Sequence, residues 1–139
     1  MDALVAALRA SWDEATCDPV DLPWSPANPS RGQCGVTALV VHDHLGGELL
    51  VAEVRRGDGS LQGVHTWNRL PDGSELDLTR EQFSSDEHVQ APRVVVRPEG
   101  PPRRCGEQYA RLAERVAARY PSRTVASASS GPSSARNSR

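Results

Sequence analysis

Aromatic residues and long hydrophobic runs are scarce in this chain of 139 residues. It contains one phenylalanine, two tyrosines and three tryptophans, and hydrophobic residues make up 37% of the sequence. That content supports one modest core, so we expect a single folded domain over residues 1–120. No window approaches the roughly 18 apolar residues of a membrane span, and the N-terminus lacks the basic start and apolar core of a signal peptide. We therefore expect a cytoplasmic protein that does not enter membranes.

Charge and cysteine are limited as well. The formal net charge is −2, and no basic stripe is interleaved with aromatics, so nucleic acid is not an expected partner. Three cysteines, an odd number, argue against a disulfide framework. The cysteines and histidines show no paired-ligand spacing, so we expect no zinc or other metal and no cofactor. Residues 121–139 are rich in Ser, Ala and Arg and are expected to form a disordered tail.

Hydrophobic periodicity predicts a mixed α+β fold. We expect helices from Asp2 to about Thr16, from Cys34 to the Gly46-Gly47 stop signal, and over residues 103–119. Strands are expected over residues 48–55, 64–70, 74–78 and 93–97. Residues 17–31 contain four prolines and are expected to form a loop.

The segment from Asn28 to Gly47 places a cysteine where a loop becomes a helix. Pro29 and Gly32 break regular structure before Cys34, and a largely apolar helical stripe follows it. Unpaired N–H groups and the positive end of the helix dipole stabilise a thiolate at such a position. We therefore expect the pKa of Cys34 to fall below its free value of about 8.5, which makes Cys34 a candidate nucleophile for acyl carbons.

A cysteine nucleophile needs a base and a group that orients the base. His65 and Asp77 are the candidates, because residues 71–73, Pro-Asp-Gly, predict a three-residue hairpin loop with Gly73 in the left-handed conformation. The resulting register places His65, Trp67 and Asp77 on one face of the ribbon. His65 and Asp77 become diagonal neighbours with Cα atoms roughly 7–8 Å apart.

This prediction depends on the length of the loop. A three-residue loop pairs Leu70 with Ser74, whereas a two-residue turn would send the histidine and the aspartate to opposite faces. With the longer loop, we expect the sulfur of Cys34 to face the ring of His65 across a cleft.

Acyl transfer also needs donors for the oxyanion. The backbone N–H of Cys34 is the natural first donor. The second is either the side chain of Gln33, which has the alternative of pointing into the core, or the indole N–H of Trp12 or Trp24. The alternative for both tryptophans is packing as core aromatics, with Trp24 beneath the proline-rich loop.

Three further residues lie beside the predicted triad. Asn28 and Arg31 are candidates for binding a substrate carboxylate, although the polarity of a loop explains them equally well. Trp67 is expected to shield His65 from water.

These residues also carry a resemblance to known families. Gly32-Gln33-Cys34 followed by Val36 resembles the Gly-Gln-Cys-Trp-Val signature of transglutaminases, and His65 with Asp77-Leu78-Thr79 resembles the rest of their triad. Residues 12–83 more closely resemble YunG-like proteins through Asn-Pro-Ser-x-Gly-Gln-Cys, His-x-Trp-Asn and Asp-Leu-Thr-x-Glu-Gln-Phe. The resemblance implies a papain/transglutaminase-like core, with a nucleophile-bearing helix packed on a small antiparallel sheet.

Two departures limit what the resemblance implies. Gly35 replaces the tryptophan that follows the transglutaminase nucleophile, and the spacings between Cys34, His65 and Asp77 are much shorter. A glutamine-specific crosslinking reaction is therefore not implied.

Two functions follow from these predictions. The first is a cysteine-dependent acyltransferase or an amide or thioester hydrolase acting on a small-molecule or peptide acyl substrate. The second is a non-catalytic module that binds a peptide or small ligand in the same cleft, with Cys34 as a small apolar filler. Neither the substrate nor the oligomeric state is indicated by the sequence.

Overall fold

The computed structural model describes residues 1–121, in which three helices pack around a small antiparallel sheet. The elements are α1 (Asp2–Ser11), α2 (Cys34–Leu45), β1 (Glu48–Arg56), β2 (Leu61–Arg69), β3 (Glu75–Leu76), β4 (Glu87–Val89), β5 (Arg93–Val95) and α3 (Gly106–Arg119). Short 3-10 turns occur at Pro19–Asp21 and Arg80–Gln82. The predicted α+β class is confirmed, while the predicted disorder of the tail falls almost entirely on residues outside the described part.

The sheet is built around β1. Strand β2 pairs along one side of β1, and β4 and β5 share its other side at opposite ends. Strand β3 extends the sheet beyond β2, where it pairs with Asn68 and Arg69. Because β3 is so short, residues 61–67 of β2 have no strand partner on that side within the described residues. We call this stretch the open edge of β2.

The hairpin between β2 and β3 has the predicted loop. The N–H of Leu70 donates to the carbonyl of Ser74 at 2.7 Å, and the N–H of Gly73 donates to the carbonyl of Leu70 at 2.8 Å. Gly73 has a φ of 91°, a conformation that glycine adopts without a Cβ penalty. The three-residue loop and its register are therefore confirmed. Strand β3 is shorter than predicted, because Asp77 accepts the N–H of Thr79 at 3.3 Å and turns the chain away from the ladder.

The main core lies between the three helices. Leu8 of α1, Val40 of α2, and Leu112 and Val116 of α3 are all within 1% of complete burial. Helix α1 ends at Ser11 and not near Thr16 as predicted. The other predicted helices and strands are present with small differences at their ends, and β4 is an additional strand in a polar stretch without the alternation that reveals strands.

The two faces of the sheet have different neighbours. Asn68 Nδ2 donates to the carbonyl of Ala38 at 3.0 Å, so the face of β2 that carries Asn68 packs against α2. Successive side chains of a strand point to opposite faces. His65 and Trp67 therefore lie on the other face, where Trp67 packs with Leu50. Helix α2 and the side chain of His65 therefore lie on opposite faces of β2.

Candidate active site

His65 and Asp77 form a close pair at the end of the hairpin. His65 Nε2 lies 2.8 Å from Asp77 Oδ2. The ring of Trp67 stacks on the imidazole with centroids 5.2 Å apart, and the ring of Phe83 meets it edge-on at 4.9 Å. His65 itself is 0% exposed. Trp67 and Phe83 both pack against the imidazole, as the predicted shielding of His65 requires.

The second ring nitrogen of His65 has no partner. Nδ1 is buried without a hydrogen bond, whereas Nε2 is committed to the carboxylate. An ionised carboxylate only accepts hydrogen bonds, so Nε2 carries a proton, and in the neutral form of the ring the free lone pair is at Nδ1. Buried polar atoms are nearly always hydrogen-bonded, and an orphan of this kind calls for an explanation. A general base that has not yet received its proton has this arrangement.

Asp77 is held in its charged form. Burial disfavours the carboxylate, but the hydrogen bond from His65 and the guanidinium of Arg80 outweigh burial and keep the pKa of Asp77 below its ordinary value. Arg80 Nε lies 2.7 Å from the same Oδ2 that meets the imidazole. Asp77 can therefore orient neutral His65 and stabilise its protonated form.

Cys34 is the first residue of α2, as predicted, and it lines a cavity of about 440 Å³. The prediction of a lowered pKa is wrong. Burial raises the pKa of Cys34 to about 11, and backbone hydrogen bonds from Thr66 and Gly35 offset only part of this effect. Loss of water outweighs the helix N-terminus here, so Cys34 is a neutral thiol at pH 7.

The thiol of Cys34 and the imidazole of His65, which were predicted to face each other, are not hydrogen-bonded. Among residues 1–121, no hydrogen bond joins Cys34 to either ring nitrogen of His65. The backbone of Thr66 stands beside the sulfur instead. The reason is the pleat of β2, which turns His65 toward the face opposite α2 while Cys34 occupies the open edge.

Gly32 fixes the turn that delivers Cys34 to this position. Its φ is 78°, and an added Cβ would lie 2.5 Å from the sulfur of Cys17. Both the left-handed backbone and the close approach of Cys17 therefore require glycine. Cys17 packs against the turn that precedes Cys34.

Gln33 connects the turn before Cys34 to the segment that follows α1. Its side chain is fully buried; Oε1 accepts from Thr16 Oγ1 at 2.8 Å and Nε2 donates to the carbonyl of Asp13 at 3.1 Å. Of the two predicted alternatives for Gln33, the structure shows the core position. Its amide is not available to an oxyanion.

The three tryptophans are occupied as well. Each indole N–H is already donated: Trp12 to Thr37, Trp24 to the carbonyl of Pro29, and Trp67 to Glu75. None of the three rings lines the cavity. Trp12 is buried in the helical core, as the predicted alternative requires, whereas Trp24 is half-buried and belongs to neither core cluster of the described residues. Trp67 packs against His65 and does not line the cavity.

Asn28 and Arg31 bind the segment that follows Asp77. Asn28 Nδ2 and Arg31 Nη1 both donate to the carbonyl of Gln82, at 3.1 and 3.3 Å. Arg31 also pairs with both carboxylate oxygens of Glu87, at 2.9 and 3.2 Å. These partners replace the substrate carboxylate that the sequence suggested, so neither residue faces the cavity.

Gln82 is the residue that sequence reasoning missed. Its Oε1 accepts the N–H of Gly32 at 3.3 Å, and its Nε2 donates to the carbonyl of Thr79 at 3.0 Å. Gln82 thus ties the turn before Cys34 to the chain just after Asp77. The signal was present in the Asp-Leu-Thr-x-Glu-Gln-Phe motif, whose last two residues are Gln82 and Phe83.

The described residues contain neither a metal-ligand cluster nor a membrane-spanning helix. Over residues 1–121, no three side chains of His, Cys, Asp or Glu come together as metal ligands would. No helix in the same range is long and apolar enough to cross a membrane.

Comparison with known proteins follows the motifs. A family model described as YunG protein matches residues 1–121. The chain is 32% identical over 96 residues to the uncharacterized protein YunG of Bacillus subtilis (strain 168). The aligned region covers 67% of this chain and 74% of that protein. No solved structure matches the chain. The chain belongs to the YunG family.

Proposed function

We propose that this protein is a cysteine-dependent acyl-transfer enzyme that works through Cys34, His65 and Asp77. The observation that carries the proposal is the His65–Asp77 pair, with one imidazole nitrogen bound to the carboxylate and the other buried and unpartnered. A structural histidine in this position would be expected to use both nitrogens. The cavity beside Cys34 provides the space for an acyl substrate.

The reaction divides into two steps. Cys34 Sγ attacks an acyl carbonyl, its proton passes to His65 Nδ1, and the leaving group departs with a proton as the thioester forms. Water or an amine then attacks the thioester and releases the acyl group, which restores the thiol. Because the pKa of Cys34 is about 11, the proton must leave during the attack and not beforehand.

The sulfur must come within reach of Nδ1 for this step. Cys34 lies at the open edge of β2 beside Thr66, which directly follows His65 in the strand. Catalytic hydrogen bonds are often long without substrate and tighten in the substrate complex. Rotation of the Cys34 side chain on substrate binding is the movement that the mechanism requires.

A papain/transglutaminase-like core is part of the proposal. It is supported by the helix that begins at the nucleophile and by the order of the three residues along the chain.

The cysteines at positions 17, 34 and 105 are all free thiols, which supports the predicted cytoplasmic location because thiols stay reduced there.

A binding module is the second candidate, and the state of Cys34 favours it. A neutral thiol without a hydrogen bond to His65 is also what a catalytically silent relative would have. In that case the cavity would hold a peptide or small ligand without covalent chemistry. Acylation of Cys34 separates the two candidates.

The test is the reaction of the full chain with p-nitrophenyl butyrate at pH 7, followed by intact-mass analysis and peptide mapping. We expect one butyryl group on Cys34 and none in Cys34→Ala, because the proposed mechanism activates this thiol alone. Cys17→Ala removes a different thiol and serves as the matched control, which should still be acylated. Unmodified Cys34 under these conditions would favour the binding module.

A further inference from the structure

Two glycines in regular elements line the cavity without a backbone reason for being glycine. Gly35 is the second residue of α2 and Gly63 lies within β2, and both line the cavity. Neither has a positive φ, and a Cβ added at either position would meet no atom within 4 Å. Glycine in a helix or strand lowers stability relative to alanine. The absence of a side chain at both positions leaves open space in the cavity beside Cys34.

Apolar atoms provide most of the surface of the cavity wall. Val36 and Leu39 come from α2, Phe83 from the segment after Asp77, and Val64 from β2. Val64 stays 59% exposed, as an apolar side chain at the mouth of a binding site would be. The volume of about 440 Å³ lies within the range of small-molecule sites.

The charged side chains that line the cavity are already paired within the protein. Asp18 accepts from Arg104 Nη2 with both carboxylate oxygens, the longer bond being 2.7 Å, and Asp21 accepts from Arg31 Nε at 3.3 Å. A cationic group on a ligand would have to displace these arginines, and an anionic group would meet the negative charge of the two aspartates. An uncharged ligand meets no such competition.

The two amides of the lining are engaged in the same way. Gln62 hydrogen-bonds Glu87, and Gln82 uses both ends of its amide on Gly32 and Thr79. The surface that the cavity offers to a ligand is therefore mainly apolar, and it begins at the sulfur of Cys34.

We infer that the cavity is an acyl pocket that receives an uncharged aliphatic acyl chain, with Gly35 leaving the space for that chain. This inference rests on the proposed acyl-transfer function. With a p-nitrophenyl ester, the bond between sulfur and the acyl carbon forms and the ester C–O bond breaks. p-Nitrophenol leaves with a proton equivalent to that lost by the thiol. Water later hydrolyses the thioester to a carboxylic acid and free Cys34.

The experiment compares p-nitrophenyl acetate with p-nitrophenyl hexanoate. Acylation of Cys34 in the full chain is timed by mass, and each rate is divided by that of N-acetylcysteine to remove intrinsic reactivity. Burial of one methylene favours binding by about fourfold, so we expect the corrected hexanoate rate to exceed the acetate rate at least tenfold. Gly35→Val should lower this ratio about tenfold.

Gly106→Ala is the matched control, because Gly106 also has room for a Cβ but does not line the cavity. It should leave the ratio unchanged. Equal corrected rates for the two esters, or a ratio that Gly35→Val does not change, would overturn the acyl pocket while leaving acyl transfer in place. No acylation of Cys34 by either ester would overturn the proposed function and the pocket together.

Discussion

The two halves of the candidate site differ in how the chain positions them. The His65–Asp77 half belongs to one hairpin, and its geometry follows from a local turn that ends in Gly73. The Cys34 half is assembled from distant segments, with Gln82 holding the turn at Gly32 from fifty residues away. The local half has a charged, oriented pair, whereas the distant half has a neutral thiol. Turn chemistry thus builds the proposed base, and packing sets the protonation state of the proposed nucleophile.

The substitution Asp77→Asn breaks the local half and has the largest expected effect. An asparagine at this position can donate to Nε2 and move the imidazole proton to Nδ1, where it blocks the general base. We expect acylation of Cys34 to fall about 10²- to 10⁴-fold. Arg80→Gln is the control, since Arg80 contacts the carboxylate but not the imidazole. A loss below tenfold in Asp77→Asn would remove the carboxylate from the mechanism.

The same variant should change the acid stability of the protein. Because the folded-state pKa of Asp77 is lowered, its ionised form contributes stability above the unfolded-state value of about 4. This contribution is lost as the pH falls from that value through the lowered one. Urea unfolding from pH 7 to pH 2 should show a smaller loss of stability in Asp77→Asn than in wild type. Parallel profiles would mean that the carboxylate is not stabilised by its partners.

Gln82→Ala breaks the connection between the two halves. It removes two hydrogen bonds of a residue that is 5% exposed and leaves the N–H of Gly32 and the carbonyl of Thr79 without these partners. We expect the free energy of unfolding to fall by about 1–3 kcal/mol. Acylation of Cys34 should slow about tenfold, because the turn before the sulfur is no longer fixed.

Asn28→Ala is the comparison for Gln82→Ala, since it removes a single hydrogen bond to the same segment. Its effects on unfolding and on acylation should both be smaller. If Gln82→Ala lowers stability but leaves the acylation rate unchanged, the connection supports the fold and not the position of Cys34.

Gly73→Ala tests the turn that builds the local half of the site, and its expected effect is the smallest. An alanine at a φ of 91° is strained, although its Cβ meets no atom within 4 Å. We expect the free energy of unfolding to fall by about 1–2 kcal/mol. Urea unfolding of the variant and the wild type measures this difference. Gly106→Ala lacks the positive φ and should not destabilise the protein. Equal stabilities of the two variants would show that the loop does not depend on glycine.

The sequence was sufficient wherever short-range chemistry decides the structure. The Pro-Asp-Gly loop predicts the register, and the register places Asp77 within 2.8 Å of His65. The break at Gly32 and the stop at Gly46 predict the limits of α2. Each of these features depends on residues that are neighbours along the chain.

Long-range packing decided the features that the sequence did not reveal. The pKa of Cys34 depends on burial, and the helix terminus that the sequence indicated proved to be the weaker influence. The sequence left Asn28 and Arg31 as candidates for substrate binding, but in the fold both donate hydrogen bonds to the carbonyl of Gln82. Strand periodicity put His65 and Asp77 on one face, but only the packing of α2 shows that the helix of Cys34 lies against the other face of β2.

The pH dependence of Cys34 acylation in wild type and in His65→Gln tests the central claim most directly. Without the base, only preformed thiolate reacts, so the rate of His65→Gln should rise about tenfold per pH unit until the pH approaches the Cys34 pKa of about 11. With the base, wild type should react much faster at pH 7, and its advantage should shrink as the pH rises. Parallel pH profiles with similar rates would contradict proton transfer from Cys34 to His65.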